Sequence, residues 1–175
     1  TAEKIDARYP LHLNTGRLRD HWHCMSRTGQ VARLYSHVDE ARVELHADDL
    51  TRRGLADGDL VQVKSRRGQI VLRAHASEAQ RPGSAFVAMH WGRNMLSSSG
   101  ANALTAGRVD PHSKQPELKH AAIQVSRADL PYQALLLRTE ASDEAAQRQT
   151  LLRMEALAPL LGRFAYASLS MAGRE

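Results

Sequence analysis

Residues 60–76 read LVQVKSRRGQIVLRAHA, and this stretch decides the fold class. Apolar and polar residues alternate on both sides of residues 66–68, which is the period of a strand with one buried face. The bases and the glycine between the two runs are typical of a tight turn. The sequence therefore predicts a β-hairpin in which Val61 and Val63 point into the core.

Four further short apolar runs flank this hairpin. Strands are predicted over residues 9–14, 43–46, 85–89 and 121–125. In the first of them, Leu11 and Leu13 lie on one face. Residues 47–53 have acids in the first turn and bases in the last, which predicts a short helix ended by Gly54. Short strands separated by Gly and Pro turns favour a small closed or nearly closed barrel, and an isolated sandwich is the alternative.

The C-terminal part of the chain has a helical pattern instead. Ser142 is predicted to cap a helix that Gly162 ends, and Pro159 is expected to end or kink its last turn. The apolar stripe of this helix consists of Leu151, Met154, Ala158 and Leu161. We therefore predict a mainly β domain with short helices over residues 1–127. Residues 128–175 are predicted to form a linker and helical tail that leads out of this domain and docks on the barrel or on another domain.

Composition limits the class of protein. At 175 residues and 42% hydrophobic content, the chain is long enough to bury one core. No apolar run approaches the ~20 residues of a membrane span, and no signal peptide is visible. The single cysteine, Cys24, excludes an internal disulfide framework and favours a reducing compartment. The chain begins at Thr1, which indicates a piece of a longer protein, and we expect a cytoplasmic location without membrane contact.

The formal net charge of +5 is concentrated in the predicted β domain. Residues 1–127 hold 19 Lys and Arg against 13 Asp and Glu, whereas residues 128–175 hold 5 against 6. The β domain is therefore the part that attracts anions. This mild surplus, with an aromatic content of only 5%, favours a phosphorylated ligand over a nucleic-acid groove.

The segment TGRLRDHWHC at residues 15–24 follows the first predicted strand and is typical of a binding loop. Its glycine lets a ligand approach the backbone, and its first arginine offers a planar fork for phosphate. Its histidines and tryptophan add polar groups and a flat apolar surface. A nucleotide-like ligand, anionic and partly aromatic, fits this pattern. The candidate binding residues of the loop are Thr15, Gly16, Arg17, His21, Trp22, His23 and Cys24.

A second candidate region lies between Trp91 and Lys119, where the sequence has little periodicity. Long loops inside compact domains are usually functional or disordered, and both alternatives stay open for the SSSG stretch at residues 97–100. Residues 110–119 mix turn residues with lysines and are expected to close around a ligand. His90, which follows a predicted strand, is either a ligand contact or a solvated strand end.

Several common sites are not supported by the sequence. The HWHC run has no second Cys or His pair at the spacing of a structural zinc site, so we expect no metal ligand and treat Cys24 as inert. The phosphate-binding glycine motifs of Rossmann and P-loop folds are absent, as is a nucleophile elbow. We therefore expect no catalytic residue on this chain.

An ordered set of short motifs resembles the C-terminal molybdopterin-dinucleotide-binding domain of the molybdenum oxidoreductases. The set covers roughly residues 9–126, and each motif alone is weak. The motifs are LNTGR (13–17), HWH (21–23), MSRTG (25–29), VELH (43–46), GDLV (58–61), SRRG (65–68), HWG (90–92), NALT (102–105) and DPHSKQPELK (110–119). The HWG motif and residues 114–119 are most similar to the catalytic subunit of bacterial assimilatory nitrate reductases.

This resemblance implies a double-psi β-barrel that binds the molybdopterin guanine dinucleotides. Residues 15–24 would line the pterin and phosphate end, and His90 would lie near the inner pocket. Asn102 and Lys119 match an asparagine and a lysine that contact the cofactor in the family, and the implied neighbours of that site are Asp110 and Ser113. Cys24 departs from the family pattern, which commonly has threonine there, so a hydroxyl hydrogen bond becomes a weak one.

The resemblance also implies a function. The parent enzyme would reduce nitrate to nitrite for assimilation, with a molybdenum-bis(molybdopterin guanine dinucleotide) cofactor. Its molybdenum ligand and iron–sulfur cluster would lie in other domains, so this domain alone is expected to be inactive. The implied partners are those other domains and an electron-donor protein or domain. A formate dehydrogenase and a periplasmic-type nitrate reductase are alternative parents, and a non-enzymatic β-barrel that binds nucleic acid is the alternative outside the family.

Overall fold

Six strands form a closed barrel in the computed structural model, which describes residues 3–139 and 143–171. The strands are β1 (Leu11–Gly16), β2 (Arg42–Leu45), β3 (Leu60–Ser65), β4 (Gln69–Ala76), β5 (Ser84–Ala88) and β6 (Ala121–Arg127). Their order around the barrel is β1-β5-β2-β4-β3-β6, and β6 pairs with β1 again. β1 pairs with β5 and β2 with β4 in parallel, and the other neighbours are antiparallel. The predicted mainly β barrel is confirmed, and the sandwich alternative is wrong because every strand has two neighbours.

Alternate side chains of the strands fill the barrel. Val61 and Val63 are fully buried, as the hairpin pattern predicts, and Leu11 and Leu13 of β1 are buried on one face. The β3–β4 turn falls at residues 66–68, where the Ser65 N–H donates to the Gly68 carbonyl at 2.9 Å. Alternation therefore predicted both the strands and their buried faces.

Short helices connect the strands. The α-helices are α1 (Ala32–Tyr35), α2 (Ala47–Thr51) and α3 (Glu144–Leu161), and three 3₁₀ helices span His23–Met25, Thr28–Gln30 and Gly100–Ala103. α2 confirms the predicted helix, and Gly54 follows it with a φ of 64°, a conformation that favours glycine. His46, predicted as the end of a strand, instead caps α2, since its Nδ1 accepts a hydrogen bond from the Asp48 N–H at 3.2 Å.

α3 confirms the predicted tail helix and its end at Gly162. The predicted cap Ser142 lies outside the described residues, and Asp143 caps the helix by accepting from the Ala146 N–H at 2.8 Å. The helix continues past Pro159 to Leu161, and Gly162 follows it with an ordinary helical φ of −64°. Pro159 has no N–H to donate to the Glu155 carbonyl, so one helical hydrogen bond is lost there, and the helix ends two residues later.

The described part of the tail returns to the barrel. Leu161 and Met171 are buried, and Ser168 forms an isolated antiparallel bridge with Leu96 in the loop after β5. Docking of the described tail on the barrel is therefore observed. β6 ends at Arg127, and the domain boundary predicted after residue 127 stays a prediction. Within the described residues, no helix has the length and apolar character needed to cross a membrane.

Candidate functional site

Most of the predicted site residues lie at one edge of the barrel. The C-terminal ends of the parallel strands β1 and β5 meet there, and the antiparallel strand β6 begins there. The loops after β1 and β5 and the loop before β6 therefore converge, although they are far apart in sequence. This edge, with residues 15–30, 89–104 and 117–119, is called the rim below.

At the end of β1, three predicted residues are in contact. The Thr15 hydroxyl donates to the Leu118 carbonyl at 2.6 Å, and the Lys119 Nζ donates to the Thr15 carbonyl at 2.6 Å. A Cβ added to Gly16 would lie 2.8 Å from the Phe86 ring and 3.8 Å from the Lys119 Nζ. Glycine is therefore required where β1 passes Phe86, and it brings bare backbone beside a lysine ammonium group.

Arg17 and Trp22 form the outer part of the rim. The Arg17 guanidinium carbon lies 5.2 Å from the centre of the Trp22 ring, which is a cation–π arrangement, and 59% of Trp22 is exposed. Arg17 has no ion pair with any carboxylate of the described residues. Its charge is therefore available to an anion.

Two buried histidines form the inner part of the rim. The rings of His21 and His90 are 5.6 Å apart, and the His21 Nε2 lies 3.2 Å from the Val38 carbonyl oxygen. The His90 Nε2 accepts a hydrogen bond from the Leu18 N–H at 2.9 Å, which joins the loops after β1 and β5. Burial lowers the pKa of His90, and the neighbouring His21 and Arg17 lower it further, so the imidazole stays neutral.

The next turn of the rim is strained. His23, Cys24 and Met25 have φ values of 52°, 52° and 61°, which side-chain-bearing residues rarely adopt. Met25 is buried and holds the turn, whereas Cys24 is exposed. Strained backbone of this kind clusters at ligand sites, because only the surrounding contacts stabilise it.

A cleft of about 1380 Å³ lies between the rim and α3. The predicted residues that line it are His23, Cys24, His90 and Asn102. Four of the five methionines of the chain, Met25, Met89, Met95 and Met154, also line it. The cleft therefore combines soft apolar surface with an amide and imidazoles, a mixture typical of sites for flat heterocycles.

Asp110 and Ser113 lie outside this cleft, in an exposed turn. The Asp110 Oδ1 accepts from the Ser113 N–H at 2.7 Å, from the Ser113 hydroxyl at 3.0 Å and from the His112 N–H at 3.0 Å. Hydrogen bonds from Ser113 and His112 lower the pKa of Asp110. The structure thus uses this pair to shape the loop that leads to Lys119, and their role toward a ligand stays a prediction.

Sequence reasoning missed part of the cleft. Arg93 lines it on the rim side, and Leu151, Met154 and Glu155 of α3 line it on the other side. The apolar stripe of α3 was visible in the sequence, but it did not tell which surface the stripe would cover. No group of three or more His, Cys, Asp or Glu side chains within residues 3–139 and 143–171 is placed to hold a metal ion.

A closed barrel with basic, amide and imidazole groups at one edge defines a cofactor-binding domain. Residues 11–122 match the family described as the molydopterin dinucleotide binding domain. The chain belongs to this family, and the expected resemblance is confirmed at this level.

Three nitrate reductases are among the similar proteins. That of Klebsiella oxytoca is 44% identical over 126 residues, which cover 72% of this chain and 14% of the relative. That of Symbiobacterium thermophilum is 40% identical over 129 residues, which cover 73% of this chain and 17% of the relative. The periplasmic nitrate reductase of Desulfovibrio desulfuricans is 37% identical over 127 residues, which cover 73% of this chain and 16% of the relative. The chain therefore spans less than a fifth of the length of these relatives.

A solved structure shares the fold. Acetylene hydratase from Pelobacter acetylenicus superposes with a TM-score of 0.58 over 69% of this chain and 18% of that chain. The sequence identity is 20%, so this likeness concerns the fold alone.

Proposed function

We propose that this chain binds molybdopterin guanine dinucleotide within an assimilatory, cytoplasmic nitrate reductase, with nitrate as substrate and nitrite as product. The observation that carries the proposal is the 44% identity with the Klebsiella oxytoca nitrate reductase over 72% of the chain. The sequence motifs at residues 90–92 and 114–119 support the assimilatory type. The single exposed cysteine supports a reducing compartment.

The residues at the rim fit such a cofactor. Arg17 offers a guanidinium that has no ion pair within residues 3–139 and 143–171, and Lys119 offers an ammonium group, for pyrophosphate or pterin oxygens. Asn102 lines the cleft with an amide that can pair with donor and acceptor atoms of a heterocycle. A Cβ on Gly92 would meet nothing within 4 Å, so the cleft wall is open there. The buried His21 Nδ1, which has no hydrogen-bond partner among the described residues, is a further polar atom near the cleft.

In this proposal the chain's own residues bind and orient rather than react. Molybdenum held by the dinucleotide supplies the two-electron chemistry when it is bound. Lys119 and Arg17 neutralise anionic oxygens, Asn102 fixes the heterocycle, and the neutral His90 keeps the loops after β1 and β5 together through its bond to Leu18. The molybdenum ligand, the iron–sulfur cluster and the contact with the electron donor belong to other domains of the parent enzyme.

A periplasmic-type nitrate reductase is the second candidate. It is favoured by the 37% identity with the periplasmic nitrate reductase of Desulfovibrio desulfuricans. Fractionation of the parent cells into cytoplasm and periplasm distinguishes the two candidates, since the enzyme would be found in only one compartment.

The proposal is tested on the full-length parent enzyme. Its molybdenum content and the GMP released by acid hydrolysis are measured, together with turnover of nitrate and, as a control substrate, formate. We expect molybdenum, GMP and nitrate turnover, and no nitrate turnover by residues 1–175 alone. Turnover of formate in place of nitrate, or an enzyme without GMP, contradicts the proposal.

Two variants of the same enzyme test the assigned contacts. Lys119→Ala and Asn102→Ala remove polar groups from the site, so we expect roughly tenfold faster loss of molybdenum and GMP in mild urea. Lys114→Ala is the matched control, because the Lys114 Nζ also donates to a backbone carbonyl, that of Pro111 at 2.7 Å, in the exposed turn. Unchanged retention in both site variants refutes the site assignment.

A further inference from the structure

The tail covers the rim, although the family match ends at residue 122. Side chains of α3 line the cleft opposite the rim, namely Leu151, Met154, Glu155, Ala158 and Pro159. The start of α3 is attached to the rim by the Gln147 Nε2, which donates to the Gln30 carbonyl at 3.0 Å. One complete wall of the cleft therefore comes from outside the barrel.

The segment after α3 binds the loop that follows β5. The Ser97 N–H donates to the Ala167 carbonyl at 2.9 Å, and the Leu169 N–H donates to the Met95 carbonyl at 2.9 Å. The Ala167 N–H donates to the Ser97 hydroxyl at 3.2 Å. These bonds make a short two-stranded ribbon from residues 95–97 and 167–169. Without residues 167–169, the backbone N–H and C=O groups of residues 95–97 would have to hydrogen-bond to water instead.

Tyr35 fixes this ribbon to the barrel. Its side chain is fully buried, and its hydroxyl donates to the Leu169 carbonyl at 2.9 Å. Burial raises the pKa of Tyr35 to about 12, so the hydroxyl keeps its proton at neutral pH. Met171, also buried, extends the contact beyond the ribbon.

The two walls of the cleft differ in chemistry. The rim wall carries Arg93, Asn102 and His90, whereas the tail wall is mostly apolar and carries the carboxylate of Glu155. Thioether and aliphatic side chains pack well against flat aromatic rings. A carboxylate on the tail wall repels phosphate, which directs the anionic part of a ligand toward Arg93 and the rim.

We propose that the tail is a clamp that forms the second wall of the cofactor cleft: Leu151 and Met154 pack against the flat heterocycle of a bound dinucleotide, and the ribbon of residues 167–169 holds the loop after β5 in its binding position. This inference rests on the proposed function for the identity of the ligand. It assigns ligand contacts to the tail, which the sequence predicts only as a linker and helix that leads out of the domain and docks on the barrel or on another domain.

The first experiment compares Leu151→Gln with Leu152→Gln in the full-length enzyme. The two variants make the same change, leucine to glutamine, at adjacent positions of α3. Of the two leucines, only Leu151 lines the cleft, and Leu152 is 50% exposed. We expect molybdenum and GMP to leave the Leu151→Gln enzyme roughly tenfold faster in mild urea, and the Leu152→Gln enzyme to behave as the wild type. Equal release from both variants overturns the proposal.

The second experiment tests the ribbon without relying on turnover. Tyr35→Phe removes the donor to Leu169, and Tyr132→Phe, at a tyrosine that is 91% exposed, is the control. We expect roughly threefold to tenfold faster amide hydrogen exchange at Ser97 and Leu169 in Tyr35→Phe alone, together with faster release of GMP. Faster exchange with unchanged release overturns the clamp. A wild-type enzyme without molybdenum and GMP instead refutes the proposed function, so the two failures are distinguishable.

Discussion

The barrel wall and the rim are held together in different ways. In the wall, every strand is paired on both sides, and side chains such as Val61 and Leu72 are fully buried. In the rim, single bonds between distant residues fix the loops, as in Leu18 to His90 and Lys119 to Thr15. The wall therefore has a continuous ladder of mutually supporting contacts, whereas the rim loops depend on a few separate hydrogen bonds. Stability and ligand binding are expected to respond to different substitutions.

The largest effect is expected in the wall. Leu72→Ala leaves a cavity among fully buried side chains and should lower the free energy of unfolding by about 2–5 kcal/mol. Urea unfolding at neutral pH measures this loss. Leu152→Ala, at a half-exposed position of α3, is the control and should change stability by less than about 1 kcal/mol. Similar losses in the two variants contradict the assignment of the main core to the barrel.

A glycine pair tests how tightly the rim is built. Gly100 and Gly54 have nearly the same φ, 61° and 64°. An added Cβ at Gly100 would clash with the Trp91 carbonyl oxygen, whereas at Gly54 it would meet nothing within 4 Å. Gly54→Ala should lower the free energy of unfolding by about 1 kcal/mol, because a side chain is strained at this positive φ. Gly100→Ala should lower the free energy of unfolding by about 3 kcal/mol, because the loop after β5 must also move to make room for the new methyl group. Equal costs in urea unfolding rule out the close approach at Trp91.

The buried His90 should make stability depend on pH. Its folded-state pKa lies below the ordinary value of 6.5, so the unfolded chain binds the proton more readily. The contribution of the buried, neutral His90 to the free energy of unfolding is complete above pH 6.5. It declines as the pH falls through 6.5 toward the folded-state pKa, because the unfolded chain then gains a proton that the folded chain does not. The protein should be less stable at pH 5.5 than at pH 7.5, and His90→Gln should reduce this difference, which urea unfolding at the two pH values measures. His112→Gln, in the exposed turn, should leave the difference unchanged.

The smallest effect is expected at the outer rim. A double-mutant cycle of Arg17→Ala and Trp22→Ala measures their cation–π coupling, which should be about 0.5–1 kcal/mol at so exposed a site. A coupling indistinguishable from zero would mean that Arg17 is not held over the ring before a ligand arrives.

The fold was largely predictable from local patterns. Alternation in residues 60–65 and 69–76 predicted two strands, their turn and the buried valines, and Gly54 marked the end of α2. The order of strands was not predictable in this way, because pairing β1 with β5 and β6 depends on contacts between residues far apart in sequence. The short strands and their turns favoured a closed or nearly closed barrel, whereas the double-psi arrangement was implied only by the family resemblance.

The site was predictable only in part. The TGR segment marked the end of β1, and the structure places its threonine and glycine beside Lys119. The course of an exposed turn is not encoded in residue types, so the sequence did not show that Asp110 and Ser113, the implied neighbours of the site, hydrogen-bond to each other in a turn that does not line the cleft. The wall that α3 contributes to the cleft was missed. An apolar stripe shows that a helix packs against another surface, but it does not show which surface that is.

The position of β1 in the barrel has a consequence for how the protein is made. Leu13 pairs with Ala85 and with Ala121, which lie 72 and 108 residues further along the chain. During synthesis the first strand must wait until β6 has left the ribosome before the barrel can close. The rim takes shape only at that moment, so the cofactor that we propose for it can be loaded only after translation of this domain is complete.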